Sequence, residues 1–295
     1  MSYPYISGFA DEICLDFRQQ LQALTKMGMN YICIRTASGK NIAEFTPDEA
    51  RDVLLPVLKE FNVRVSSLGS PIGKIGIRDE AAFELQMKQL ENLCQVCHIL
   101  DCRYIRVFSF YVPQDENPAI YRDEVMAKLK QFEALASRYD VILLHENEKD
   151  IYGDTGARCL DILESVTSPH FAAAFDFANF VQCQENPEVC WNMLKKYVSY
   201  IHIKDAIYST RENVLCGTGD GKLLPILKDA FENSGYHGFL TLEPHLVIFS
   251  SLSTLEKGNP HDVVLKNRFS SGEEGYQAQY EALLDILKQI TLPEV

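Results

Sequence analysis

Short apolar runs alternate along the chain with longer stretches in which apolar residues recur at helical spacing. The runs predict strands at Tyr5 to Phe9, Tyr31 to Arg35, Val63 to Leu68 and Tyr104 to Phe108, then at Val141 to Glu146, Phe171 to Asp176, Tyr200 to His202 and Phe239 to Glu243. The periodic stretches predict helices over about Leu15 to Met27, Thr46 to Phe61, Asp79 to Leu100 and Pro118 to Tyr139. Further helices follow over about Thr155 to Val166, Pro187 to Tyr197, Leu223 to Ser234 and Ser271 to Ile290. Thr46-Pro47-Asp48-Glu49 and Ser271-Gly272-Glu273-Glu274 mark two helix starts, each with a hydroxyl cap three residues before a glutamate that can reach back to it. Strand and helix alternate with no break in composition. This predicts a single α/β domain over 1–295, a (β/α)8 barrel in preference to an open doubly wound sheet, and 295 residues suit that fold.

Two connections are longer than usual, Gly69 to Gly76 after the third strand and the 244–270 loop after the eighth, ahead of a C-terminal helix at 271–290. In such a barrel both lie at the C-terminal face, where chemistry is done. The 244–270 loop reads equally as a lid or as a subunit contact.

The last four runs each end in a residue able to hold a cation: Glu146, Asp176, His202 and Glu243. A carboxylate within a buried strand costs several kcal/mol of desolvation, roughly 2 to 7 for a neutral polar group and more for a charge, so four such endings call for a common cause. Taken singly, a strand-end aspartate usually caps the next helix. Taken together at successive strand ends, the four predict one divalent metal ion, and three carboxylates with one imidazole suit Mn²⁺ first, then Mg²⁺, Co²⁺ or Zn²⁺.

Charge narrows the partners. With 28 basic against 41 acidic residues the net charge is −13, which repels phosphate backbones and anionic membranes, so neither nucleic acid nor a membrane is an expected partner. No run approaches the roughly 20 apolar residues of a membrane span, and the opening residues lack the basic and apolar segments of a signal peptide. A cytoplasmic protein is expected, with its nine cysteines as reduced thiols. Cys94-Gln-Val-Cys97-His98 matches the spacing of a haem attachment site, yet it lies in a helical stretch with Phe83, Met87 and Leu90 on the same face, so both thiols read as core residues.

Glu146-Asn147, Asp176 with Asn179, His202-Ile-Lys204-Asp205 and Leu242-Glu243-Pro244-His245 resemble the motifs of the xylose-isomerase-like TIM barrel superfamily. Gly8-Phe-Ala-Asp-Glu12 and Arg35-Thr-Ala-Ser-Gly-Lys-Asn41 are similar to the openings of its sugar isomerase and epimerase members, which are related to ketose 3-epimerases and endonuclease IV. The resemblance implies that Glu146, Asp176, His202 and Glu243 are the metal ligands and that the two glutamates double as acid and base. Two positions depart from the pattern: Asn179 stands where many members have histidine, and Cys33 where related barrels often have glutamate.

These features lead to a metal-dependent sugar isomerase or epimerase that works through an enediolate on a small carbohydrate. A dehydratase or lyase acting on a keto-sugar or inosose with the same site is the alternative, and phosphodiester cleavage or a non-catalytic binding barrel ranks below it. Lys204, Asn179, His245, Arg35 and Arg211 are the candidate substrate contacts, and Asp205 a support behind the ligands. His145 is expected to point into the barrel wall, and Glu148 to be a solvated loop carboxylate. Gly217-Thr-Gly-Asp-Gly-Lys222 reads as a tight turn in preference to a phosphate cradle, because Asp220 opposes an anion. Homo-oligomers are common among such barrels by resemblance, and nothing in the sequence fixes a number.

Overall fold

The computed structural model describes residues 4–249, 264 and 268–292. Eight parallel strands form its centre: β1 (Tyr5–Gly8), β2 (Tyr31–Ile34), β3 (Arg64–Leu68), β4 (Tyr104–Val107), β5 (Ile142–Glu146), β6 (Phe171–Asp176), β7 (Val198–Ile203) and β8 (Phe239–Leu242). Their order in the sheet is β1-β8-β7-β6-β5-β4-β3-β2, and β1 lies alongside β2, so the ring is nearly closed. This is the single-domain (β/α)8 barrel that the alternation predicts.

The helices pack outside. They are α1 (Phe17–Lys26), α2 (Leu55–Phe61), α3 (Glu80–Ile99), α4 (Arg122–Ser137), α5 (Gly156–Ser165), α6 (Phe177–Gln182), α7 (Pro187–Leu194), α8 (Leu223–Glu232) and α9 (Gly272–Leu287). The capping box at Thr46 forms, and a π-helical stretch, Ala50–Leu54, joins its turn to α2. In α3, Cys94 and Cys97 are fully buried, as the helical spacing requires. The sequence gives no hint of α6, because every one of its residues is buried and no polar face marks it. Two short ribbons are also new, Thr36–Ala37 with Lys40–Asn41 and Asp205–Ala206 with Asn213–Val214. Most of the 244–270 loop lies outside the described residues.

Alternation along the strands sorts the barrel interior into layers. At the N-terminal end Tyr5, Tyr31, Phe239 and Tyr200 pack ring against ring, with centroids 4.9 to 5.8 Å apart, and Tyr104 joins through Tyr200. Small interior residues on β6, Ala172 and Ala174, leave room for the Tyr200 ring. Above them lies a hydroxyl layer, in which the Tyr200 hydroxyl meets Thr241 at 2.6 Å and Ser66 at 2.8 Å, and Ser7 meets Ser66. One more step along each strand reaches the C-terminal rim. The residues that follow in phase there are Phe9, Arg35, Arg106, Glu146, Asp176, His202 and Glu243, all buried.

Candidate metal centre

Glu146 ends β5 and Asp176 ends β6, His202 lies one residue before the end of β7, and Glu243 follows β8 directly. Register sets Asp176 beside His202, and His202 beside Thr241, two residues before Glu243. One ligand atom from each of the four residues lies within 4.8 Å of all the others. His202 Nδ1 is 3.0 Å from Glu146 Oε1 and 3.3 Å from Glu243 Oε2. The structure therefore gathers the four residues whose strand-end positions single them out.

Asp176 has two tasks. Its Oδ1 accepts the Asn179 N–H at 2.8 Å and so caps α6, while Oδ2 is buried without a hydrogen-bond partner. A buried carboxylate oxygen left without a donor is costly unless a cation meets it. Five carboxylates, Asp11, Glu12, Glu146, Asp176 and Glu243, are buried at this rim beside three buried cations, Arg35, Arg106 and Lys204. Burial, opposed by Lys204 and reinforced by Glu146 and Glu243, pushes the Asp176 carboxyl up to about 7. Burial lowers the His202 imidazole, but Glu146 and Glu243 outweigh it and bring it up to about 9. Glu146 and Glu243 are buried too, yet both are held below the usual carboxylate range, Glu146 mainly by His202 and Arg106 and Glu243 by Lys204 and His202. An oxygen-rich set with one nitrogen and an orphaned oxygen fits a divalent ion, with Glu146, Asp176, His202 and Glu243 to hold it.

The surrounding residues lock this set. The Asn147 side chain exchanges two 3.0 Å hydrogen bonds with the Asp176 backbone, fixing β5 against β6. The Asn179 amide donates to Asn147 O at 2.9 Å and to Glu146 Oε1 at 3.4 Å, and accepts Lys204 Nζ at 3.1 Å. Asn179 and Lys204 thus stand at the rim beside the ligands. His145 alternates outward as expected, and a Cβ on Gly153 would stand 2.5 Å from its ring.

Several candidates sit elsewhere than the sequence suggests. Arg35, expected to meet a substrate, is instead turned inward, bonding Asp11 at 2.9 Å, Glu243 at 2.8 Å and Glu12 at 3.3 Å. Arg211 is exposed at the tip of the Asp205–Val214 ribbon with a left-handed φ of 60°, apart from the cluster. Glu148 is no solvated loop carboxylate: it pairs with Lys74 at 2.9 Å, its side chain only 12% exposed, and this pairing outweighs burial and brings it down to about 2. Asp205 supports a loop: its carboxylate accepts the N–H groups of Ala206, Gly217, Gly219 and Gly221, each at 2.9 Å. The glycine turn thus closes on the chain's own anion. His245 has φ 47°, donates its backbone N–H to Glu12 Oε2 at 2.8 Å, and sets Nε2 3.4 Å from Glu12 and 3.5 Å from Glu243.

Three residues here have no role assigned from the sequence, although two of them belong to the Gly8–Glu12 motif. Asp11 and Glu12 lie in the one-turn helix after β1, and burial, against the pull of Arg35, raises Glu12 to about 8. Arg106 is the inward residue of β4, 3.1 Å from Glu146. The signal for it is a charged residue in phase with Tyr104 within an otherwise apolar run.

The sequence profile of the xylose isomerase-like TIM barrel family matches residues 21–290. A comparison with curated protein sequences finds no match. Among solved structures, the IOLI protein with a bound zinc atom superposes with a TM-score of 0.76 at 16% identity, covering 97% of this chain and 99% of that one. A D-tagatose 3-epimerase-like protein gives 0.73 at 13% identity, covering 97% and 100%. A probable 3-DHS dehydratase from Bacillus anthracis gives 0.69 at 14% identity, covering 95% and 98%. At such identities these likenesses carry the fold alone. The profile match over nearly the whole chain carries more: the protein belongs to the xylose isomerase-like TIM barrel family.

Proposed function

We propose that the protein is a divalent-metal-dependent enzyme that isomerises or epimerises a carbohydrate through an enediolate, with Glu146 and Glu243 as its acid/base pair. The observation that carries this reading is that two glutamates from separate strands, β5 and β8, meet at one buried histidine, 3.0 and 3.3 Å from its Nδ1, next to the partnerless oxygen of Asp176. Glu146, Asp176, His202 and Glu243 would hold the ion, with Mn²⁺ the leading candidate. Once bound, it supplies Lewis-acid polarisation of a carbonyl and its neighbouring hydroxyl, which acidifies the adjoining C–H.

The chain's own groups do the rest. One glutamate takes the proton from carbon, and the other returns a proton to the opposite face of that carbon or to its neighbour. Lys204 orients a substrate hydroxyl from its hydrogen bond to Asn179, and His245 lines the same rim. The substrate is an unphosphorylated sugar or polyol, because Asp205 already fills the glycine-loop N–H groups that would cradle phosphate. The likeness to a D-tagatose 3-epimerase-like protein supports this class.

A second reading, loss of a β-hydroxyl from the same enediolate, has the support of the dehydratase-like neighbour. One experiment separates them. Mn²⁺-loaded protein is incubated with ketoses and keto-inositols in D2O and the products are weighed by mass spectrometry. Deuterium at carbon with the skeleton intact is expected, loss of water selects the lyase, and no exchange with any keto-sugar sinks both. Glu146→Gln and Glu243→Gln should each abolish exchange.

A further inference from the structure

A barrel interior is a costly place for a guanidinium, and an apolar side chain of similar volume is usually cheaper there. Arg106 nevertheless points inward from β4 with its side chain 5% exposed. Its environment is fully built. Nε donates to Ser70 O at 3.3 Å and Nη2 to Gly69 O at 3.1 Å, which fixes two corners of the fork on the loop after β3. The group lies against Phe9 and Phe108, 5.0 Å from each ring centre. Gly69 completes the stack, since a Cβ there would stand 2.4 Å from the Phe9 ring.

With two corners hydrogen-bonded, the third meets the glutamates as an ion pair only. Nη1 lies 3.1 Å from Glu146 Oε2 and 3.9 Å from Glu243 Oε1. Arg35 reaches Glu243 but spends its other nitrogens on Asp11 and Glu12. Among the described residues, Arg106 is the one arginine that reaches both glutamates. We infer that Arg106 is a positioning residue: anchored by Gly69 and Ser70 and wedged between Phe9 and Phe108, it spans the two glutamates and fixes how their carboxylates are turned toward substrate. The inference rests on the acid/base reading above and adds a part to it. A planar fork suits this task, and a lysine would supply the charge without the geometry.

The test uses Arg106→Met and Arg106→Lys in the full chain loaded with Mn²⁺. For a keto-sugar that exchanges with wild type, Arg106→Met should lower kcat about 100-fold, since misplacement of about 1 Å costs that much. With Mn²⁺ supplied in excess, KM should stay within about threefold, because the substrate's ground-state contacts are untouched, while metal affinity should fall by ~10- to ~100-fold. Arg106→Lys should recover part of the rate. The Mn²⁺ electron paramagnetic resonance line shape should change in Arg106→Met as the Glu146 carboxylate is freed to rotate. Wild-type kcat in either variant, or a spectrum identical to wild type in both, overturns the inference. If Arg106→Met does not fold, Arg106→Lys decides alone. If wild type exchanges no sugar, the acid/base reading falls, and the spectrum still decides whether Arg106 orients the glutamates.

Discussion

Two carboxylate clusters at the barrel rim share Glu243 and differ in what balances them. Glu146, Asp176, His202 and Glu243 keep an Asp176 oxygen with no donor. Glu12, Glu243 and His245 likewise bring ligand atoms within 4.8 Å of one another, but there the Arg35 guanidinium bonds both glutamates and Asp11. The two clusters thus differ in whether a guanidinium hydrogen-bonds all of their carboxylates, which is the role a bound cation would otherwise fill.

The sharpest way to break this comparison is at Asp176. Asp176→Asn keeps the Oδ1 that caps α6 and removes the charge. Metal content should fall from one ion per chain to almost none, with affinity reduced by well over ~100-fold, because partners one step further out already account for ~10- to ~100-fold. Elemental analysis after gel filtration reads this directly, and a full equivalent of metal in the variant would remove the aspartate from the site.

Arg35 is the converse test. Arg35→Met leaves Asp11, Glu12 and Glu243 without their cation and should cost about 3 to 5 kcal/mol in denaturant unfolding. If Arg35 stands in for an ion, millimolar Mn²⁺ should restore much of that loss and a second equivalent should bind. Destabilisation that no divalent ion relieves would show the second cluster to be a structural ion pair only.

The pH dependence of metal uptake comes next in size. A divalent ion binds the Asp176 anion and neutral His202, and in the folded chain these protonate at about 7 and about 9. From pH 9 down to 7, uptake must displace one proton, from His202. Below 7 it must displace a second, from Asp176. Affinity should therefore fall about tenfold per unit between 9 and 7 and about a hundredfold per unit below 7, with matching proton release in calorimetry run in buffers of different ionisation heat. Uptake independent of pH from 6 to 8 would contradict both assignments.

Much of this was legible in the chain. Glu146, Asp176, His202 and Glu243 each close an apolar run, and four such endings in succession are hard to explain without a common cause. The same step-of-two rule also picks out Phe9, Arg35 and Arg106, but the first four strands carry no ligand at the end to draw attention to it. Other features depend on contacts that no local pattern records. Glu148 is half-buried in an ion pair with Lys74, 74 residues away. Arg35 is misjudged for the same reason: a surface-type residue at a strand end looks available until Asp11 and Glu12 are seen to close around it.

The smallest expected effect belongs to His245, and it joins the two clusters into one test. Its φ of 47° suits asparagine, which tolerates the left-handed region, so His245→Asn removes the imidazole without backbone strain. In the wild-type background Arg35 already balances Glu12 and Glu243, so the substitution should leave one ion per chain and change stability by no more than about 1 kcal/mol. In the Arg35→Met background the same imidazole becomes the third ligand of the vacated cluster, and losing it should abolish the second equivalent. That non-additivity, read from metal content across the four proteins of the cycle, is the signature of a site that an arginine keeps filled. Strict additivity would mean that His245 merely packs against Phe249, 5.3 Å from its ring.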